Sequence, residues 1–300
     1  MAINIRRVVL SPSVGMRALL LSIGLALGVA ACGSPQAREL TPDSVSATGL
    51  EPGIGDCSFP NLTTIDAGHL AVAHAEPRPP YYRPRALLGP IGFDADVADA
   101  LAEGLGFQTN QIIWSQMSQV FDREGQPNFD VAIAQLERQR FSATLEFSEP
   151  YFTETQALLA LPDTPITKVK SSDELVEASL GVVLGSSSQA FVSDELGLDP
   201  TAYLTNNVLK TALRDHHITG MVVPIEQVAS ILETSSEPLV VVGQFPPADT
   251  ALTYHFGLPA GDPLLKCVDE VLARMTKSGQ LDLLRAQWFA DGVQRTIQVD

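Results

Sequence analysis

Short apolar runs of strand length recur along the chain at His69–Ala73, Gln111–Trp114, Val131–Ala134, Ala157–Leu161, Leu180–Leu184, Met221–Val223 and Leu239–Val242. Between them, apolar positions repeat at helical spacing. Phe93, Val97, Leu101 and Leu105 fall on one stripe that ends before Gly106, with Asp94 placed to cap it. Leu265, Val268, Leu272 and Met275 form a second stripe closed by Gly279. Ser171 and Glu174 have capping-box spacing ahead of Leu175, and Gly185-Ser186-Ser187-Ser188 follows a strand and opens a helix at Gln189. Strands separated by helices predict α/β layers with mainly parallel sheets. No internal repeat interrupts the pattern.

The N-terminal residues carry a different pattern. Arg6, Arg7 and Arg17 precede an apolar run from Ala18 to Ala31, and no acid occurs before Glu39. A basic segment, an apolar core and small residues at its end make a secretory signal. The run closes as Leu27-Gly28-Val29-Ala30-Ala31-Cys32, which resembles a bacterial lipobox, in which the cysteine is lipidated after cleavage. A transmembrane anchor is the alternative, but the run is shorter than the roughly 20 residues a spanning helix needs. The expectation is therefore a signal peptide over 1–31, then a lipidated Cys32 and a flexible tether over 32–56. Met16 directly before the core would serve as a start as well as Met1. Later in the chain no segment is apolar enough to span, so the protein is expected to be anchored to a membrane without crossing it. Of the three cysteines, Cys32 takes the lipid. Cys57 and Cys267 remain in an oxidising compartment, where a disulfide is the simplest reading and two separate buried thiols the other.

Composition narrows the function classes. The chain has 300 residues, 45% hydrophobic and 18% charged, which fits a folded protein of two domains and excludes a disordered chain or a coiled coil. The net charge of −16, without any Lys/Arg block, argues against a nucleic-acid face. The five histidines lack metal-ligand spacing, and no motif pairs a nucleophile with its base. Neither metal, cofactor nor catalysis is expected.

Seven segments occur in a telling order: LAVAHAEPRPPYY (70–82), GPIGFDADVADALAEGLGF (89–107), FDVAIAQ (129–135), FSEPYF (147–152), LGVVLGSSS (180–188), ALRDHHITGMVV (212–223) and CVDEVLARMTKSGQLDLLRAQWF (267–289). Together they resemble the family 3 extracellular solute-binding proteins, which serve polar amino acid ABC importers; the acidic secreted domain is similar to actinobacterial versions. The resemblance implies the type II periplasmic-binding-protein fold, with two α/β lobes, hinge strands and a ligand cleft between the lobes. Residues 57–154 and 250–300 would form lobe 1, and residues 155–249 lobe 2. Hinge closure would make the loaded state distinguishable to a permease. The implied partners are a small polar solute, an ABC permease and, through the lipid, the bacterial cell membrane; the implied state is a monomer.

The resemblance also proposes a site. Arg140, with Arg138 as runner-up, matches the arginine that forks onto a ligand carboxylate, although its spacing to Phe147 is one residue longer. Glu137 stands where the family has Thr. Ser186 and Ser187 match a Gly-Thr-Thr segment that holds the carboxylate, and Trp114 matches a ring that packs on the ligand. The family's Tyr-Pro-Pro-Phe becomes Arg78-Pro79-Pro80-Tyr81, which puts Arg78 in place of a stacking ring and leaves Tyr81 a structural reading. The main departure concerns the ligand ammonium. The two positions that many members fill with acids are Ala75 and Pro224, while Glu76, Glu137 and Glu226 lie nearby. Two rivals follow: a cyclohexadienyl dehydratase on the same fold, with Glu137 as its acid, and a degenerate binding protein acting as a receptor partner.

Overall fold

A computed structural model describes residues 55–86, 89–119, 125–138, 144–289 and 295–299. The signal segment, Cys32 and Arg140 lie outside them. The first half of the chain forms β1 (Leu70–His74), α1 (Phe93–Gly104), β2 (Ile112–Gln116), β3 (Val131–Leu136), β4 (Leu145–Thr153) and β5 (Gln156–Ala160). Then follow β6 (Leu180–Val183), α2 (Ser187–Ala190), β7 (Thr201–Tyr203), α3 (Asn206–Arg214), β8 (Gly220–Pro224) and α4 (Val228–Glu233). The last elements are β9 (Val240–Gln244), β10 (Thr253–Pro259), α5 (Leu264–Ser278) and α6 (Gln280–Phe289).

The strands make two five-stranded sheets, ordered β2-β1-β3-β10-β4 and β7-β6-β8-β5-β9. The chain passes from the first to the second between β4 and β5, at Glu154 and Thr155, and returns between β9 and β10. All seven apolar runs named above became strands. The sheets are mixed, however, where mainly parallel ones were expected. The β1–β2, β1–β3, β6–β7 and β6–β8 pairs are parallel, whereas β4, β5, β9 and β10 pair only antiparallel. A parallel neighbour needs a helical crossover within its own sheet; these four strands flank the two passages between sheets and arrive in the opposite sense.

Helix α1 buries Phe93, Val97 and Leu101 completely, as its stripe predicts. Asp94 does not cap it: Gly92 is the cap residue, and Asp94 sits fully buried in the first turn. Helix α5 ends on Gly279 in the left-handed conformation, φ 77°, as its sequence position requires. The Ser171–Glu174 pair makes only a short 3₁₀ turn without a side-chain cap from Ser171; Glu174 accepts from the Lys170 amide instead. Rings of Tyr81, Phe93, Phe152, Tyr254 and Phe289 pack edge to face and stacked at the centre of the first lobe.

Cys57 and Cys267 are joined, Cα to Cα 5.1 Å, across 210 residues of chain, and pin the segment before β1 to α5. In the chain-entropy view a loop of that length is worth about 5 kcal/mol. Residues 295–299 run along the second sheet, bridging Gln244 through Thr296 and Ser171 through Gln298, with Ile297 fully buried beside Val242 and Phe245. The resemblance alone assigns this tail to the first lobe. Among the described residues no helix is long and apolar enough to cross a membrane.

Candidate functional site

The C-terminal ends of β1, β3 and β8 and the β4–β5 passage bring polar groups together. After β1 the chain turns at Arg78-Pro79-Pro80-Tyr81, where the Tyr81 amide donates to the Arg78 carbonyl at 2.9 Å. The turn buries the Tyr81 ring and leaves Arg78 exposed, its guanidinium carbon 5.5 Å from the ring centre. The Tyr81 hydroxyl is buried, with that of Tyr254 beside it. Burial, and then the charge of Glu226, push its titration far above the ordinary range.

Beneath this turn, Asp94 accepts from the Tyr151 hydroxyl at 3.2 Å and from the Gln135 amide. Gln135, one residue before the end of β3, has a positive φ of 49°, unusual for a residue other than glycine. Burial dominates Asp94 and raises its pKa to about 7, against the lowering effects of Gln135, Tyr151 and Arg78.

Glu154 lies in the β4–β5 passage itself. One carboxyl oxygen accepts from Gln156 Nε2 at 2.9 Å, and Ser187 also donates to the carboxyl. Ser188 Oγ in turn donates to Gln156 Oε1, so a relay ties the passage to the start of α2. Glu226 follows β8 and is 6% exposed. Among the described residues its Oε2 finds no donor, and the charge that acts on it most strongly is that of Glu154. Burial first, then Glu154, raise Glu226; burial also raises Glu154, on which Glu137 acts as a further negative charge. Tyr254, on β10, feels both acids and Arg78.

A cavity of about 430 Å³ adjoins Glu154 and is lined also by Gln156, Ser186, Ser187, Asp194 and Leu252. Among the described residues its wall holds two carboxylates and no Lys, Arg or His. A larger cavity, about 540 Å³, lies at the far end of β5 among Leu161, Ile166, Leu213 and Ile218. It is mostly apolar, and none of the unpartnered buried polar atoms lines it. Of the polar groups described above, Glu154, Gln156 and Ser187 line the first.

The residues singled out in the sequence fall into distinct places. Arg78, Tyr81 and Glu137 belong to the polar cluster, and Ser187 touches Glu154. Ser186 caps the short helix: its Oγ donates to the Val183 carbonyl at 2.7 Å and accepts from the Gln189 amide at 3.3 Å. Trp114 is half-buried on β2, its ring 5.8 Å from Tyr82, which stacks on His74. Arg138 donates to the Ser148 carbonyl at 2.8 Å and lies 3.9 Å from Glu149, so β4 engages it. Glu76 is exposed and bonded to Gln116. Sequence reasoning missed Glu154, Gln156 and Tyr254, and took Asp94 for a cap. An acid between two buried apolar runs, Tyr151-Phe152 and Ala157–Ala160, was the available signal for Glu154.

With two lobes and an acid-lined junction between them, the chain can be placed among known proteins. It belongs to the bacterial extracellular solute-binding proteins, family 3, whose profile matches residues 70–291. It is 26% identical over 213 residues to the L-cystine-binding protein TcyJ of Escherichia coli K12, covering 68% of this chain and 76% of that one. The L-cystine solute receptor of Neisseria gonorrhoeae, unliganded and open, superposes with a TM-score of 0.58 at 19% identity, over 76% of this chain and 96% of the receptor. A variant of an ancestral cyclohexadienyl dehydratase gives 0.54 at 22% identity, over 74% and 93%. These superpositions establish the type II periplasmic-binding-protein fold.

Proposed function

We propose that this protein is the lipid-anchored capture subunit of an ABC importer for an amino acid, displayed outside the cytoplasmic membrane through Cys32 and handing its solute to a permease. The observation that carries the solute class is the buried Glu154–Glu226 pair, reinforced by Glu137, beside a cavity with no basic wall residue among those described. Buried carboxylates without a buried counter-charge are costly; Arg78 is solvent-exposed, and a ligand ammonium would supply a buried cation. Glu226 thus takes over the acid role lost at Ala75 and Pro224. TcyJ, named for binding an amino acid, supports the same class.

In this reading Arg140 forks onto the ligand carboxylate, Ser187 and Arg78 line its path, and Trp114 walls the apolar part, while Tyr81, buried in the aromatic core, supports the Arg78 turn. Closure of the lobes about the β4–β5 and β9–β10 passages completes the site. No reaction is catalysed. The test is a thermal-shift and Trp-fluorescence titration of Gly33–Asp300, made in an oxidising compartment, against the common amino acids, L-cystine, their decarboxylated and N-acylated analogues, and prephenate. Saturable stabilisation by an α-amino acid, lost in Arg140→Ala and retained in Arg138→Ala, supports the reading. A response only to acids without an ammonium removes the amino acid class. Turnover of prephenate would move the protein to the dehydratases, and silence across the panel to a receptor partner.

A further inference from the structure

The acid pair has a property that a simple ammonium clamp does not need. Glu154 comes from the passage between sheets and Glu226 from the end of β8, and their carboxyls are close enough to share a hydrogen bond. A carboxylate cannot donate, so that bond exists only when one of the two carries a proton. The fixed donors around them are already assigned. Gln156 and Ser187 serve Glu154, the Glu226 backbone amide serves its own carboxyl, and no donor among the described residues reaches Oε2 of Glu226. A buried group faces the same spot: the Tyr81 hydroxyl, on a side chain 1% exposed, lies beside that of Tyr254 and senses Glu226 above every other charge.

The charges facing the pair come from every neighbouring element. Glu137 from the end of β3 adds negative charge to Glu154. Among the described residues, Arg78 from the turn after β1 is the positive group in range of Glu226, but it is solvent-exposed and divided among Asp94, Tyr254 and the Tyr81 face. Tyr81 and Tyr254 are neutral, held so by burial. Among the described residues, one exposed guanidinium beside three acids does not balance two buried negative charges.

We infer that Glu154 and Glu226 form a proton-exchanging subsite, holding one proton when empty and releasing it as the ligand's ammonium enters. The exchange balances: a singly protonated pair and a cationic ammonium give a doubly ionised pair around the ammonium plus one proton to solvent. The inference rests on the amino acid reading above and adds its regulation. Capture is then weaker in acid and stronger toward alkaline pH, and the ammonium replaces the proton as the bond between two parts of the cleft.

The test is isothermal titration calorimetry of the mature protein with the amino acids and L-cystine as probes, at pH 7 in phosphate, HEPES and Tris. These buffers differ in ionisation heat, so the apparent enthalpy reports the protons exchanged. The expected result is release of a large fraction of one proton per ligand, with affinity rising by up to about tenfold per pH unit between pH 6 and 8. Glu226→Gln and, separately, Glu154→Gln should each bind more weakly, without release and without that pH dependence. Equal heats in all three buffers for a ligand that binds would overturn the inference and leave the amino acid reading intact. Release that persists in both variants overturns the assignment to this pair. If no amino acid binds at all, both readings fall together.

Discussion

The backbone of Gly92 passes so close to Tyr81 that a Cβ at position 92 would stand 2.1 Å from the Tyr81 carbonyl oxygen. That carbonyl accepts from the Asp94 amide at 2.9 Å, and the Pro80 carbonyl from the Phe93 amide at 3.0 Å, so the first turn of α1 is docked on the Arg78–Tyr81 turn. Gly92 also has φ 137°, where side chains are strained. Gly92→Ala is therefore expected to destabilise the fold by about 3 kcal/mol, and to weaken ligand binding because Tyr81 and Asp94 move together. Urea denaturation checks the first part and a ligand titration the second. An unchanged midpoint would show that the turn yields easily.

Asp94 ties stability to pH. Its carboxyl is raised by burial to about 7, whereas in the unfolded chain it titrates near its ordinary value of 3.8. Between those values the folded state keeps a proton that the unfolded chain has released. Stability therefore falls as pH rises through this window, and the loss is complete above the folded pKa. Asp99, also raised to about 7 by burial and then by Asp96, acts in the same sense, as do Glu154 and Glu226. The unliganded protein should be more stable at pH 5 than at pH 8. Asp94→Asn should remove a few kcal/mol of that difference. A slope identical to wild type in the variant would show that Asp94 stays ionised throughout.

The disulfide gives a prediction independent of the site. Cys57 is 7% exposed and Cys267 6%, and together they hold the segment before β1 against α5. Replacing both by Ser should lower stability by about 2–5 kcal/mol. Reductant should lower the melting temperature of the wild type to that of the variant and leave the variant unchanged. Equal melting temperatures for oxidised wild type and variant would mean that the long loop adds nothing once α5 is packed.

These relationships differ in how far the chain announces them. The runs of β1, β3, β5, β6 and β8 were legible because their residues are largely buried, those of β2 and β9 by apolar composition although they lie on sheet edges and are only partly buried, and the α1 and α5 stripes because their spacing matches a single buried face. The strands β4 and β10 were not. Leu145–Thr153 alternates exposed Glu146 and Glu149 with buried Leu145, Ser148 and Tyr151, and Thr253–Pro259 carries a buried His255 and a register irregularity at Gly257. Both owe their shape to the passage between sheets, a long-range feature. At the site, Tyr81, Glu137, Ser187 and Glu226 were within reach of reading by motif. Glu154 and Asp94 were hidden because their meaning comes from burial. Asp94 occupies a cap-like position in sequence, yet the fold turns it inward to Tyr151 and Gln135.

Gln156 is the positioning residue of the acid pair. It is 4% exposed, donates to Glu154 at 2.9 Å, accepts from Ser188, and stands 3.4 Å from Ser187 Oγ. Its backbone carbonyl accepts from Phe245 at the second passage, so the side chain is fixed where both passages meet the second sheet. Gln156→Leu keeps the bulk and removes both functions, leaving Ser188 without its acceptor and Glu154 without a donor. The cost to stability should be about 1–3 kcal/mol. Because Glu154 loses a group that favours its ionised form, it should hold its proton to higher pH, and the rise of ligand affinity with pH should move upward. A purely structural glutamine would lower the melting temperature and leave that pH profile in place. Titrations from pH 6 to 9 on wild type and variant separate the two outcomes.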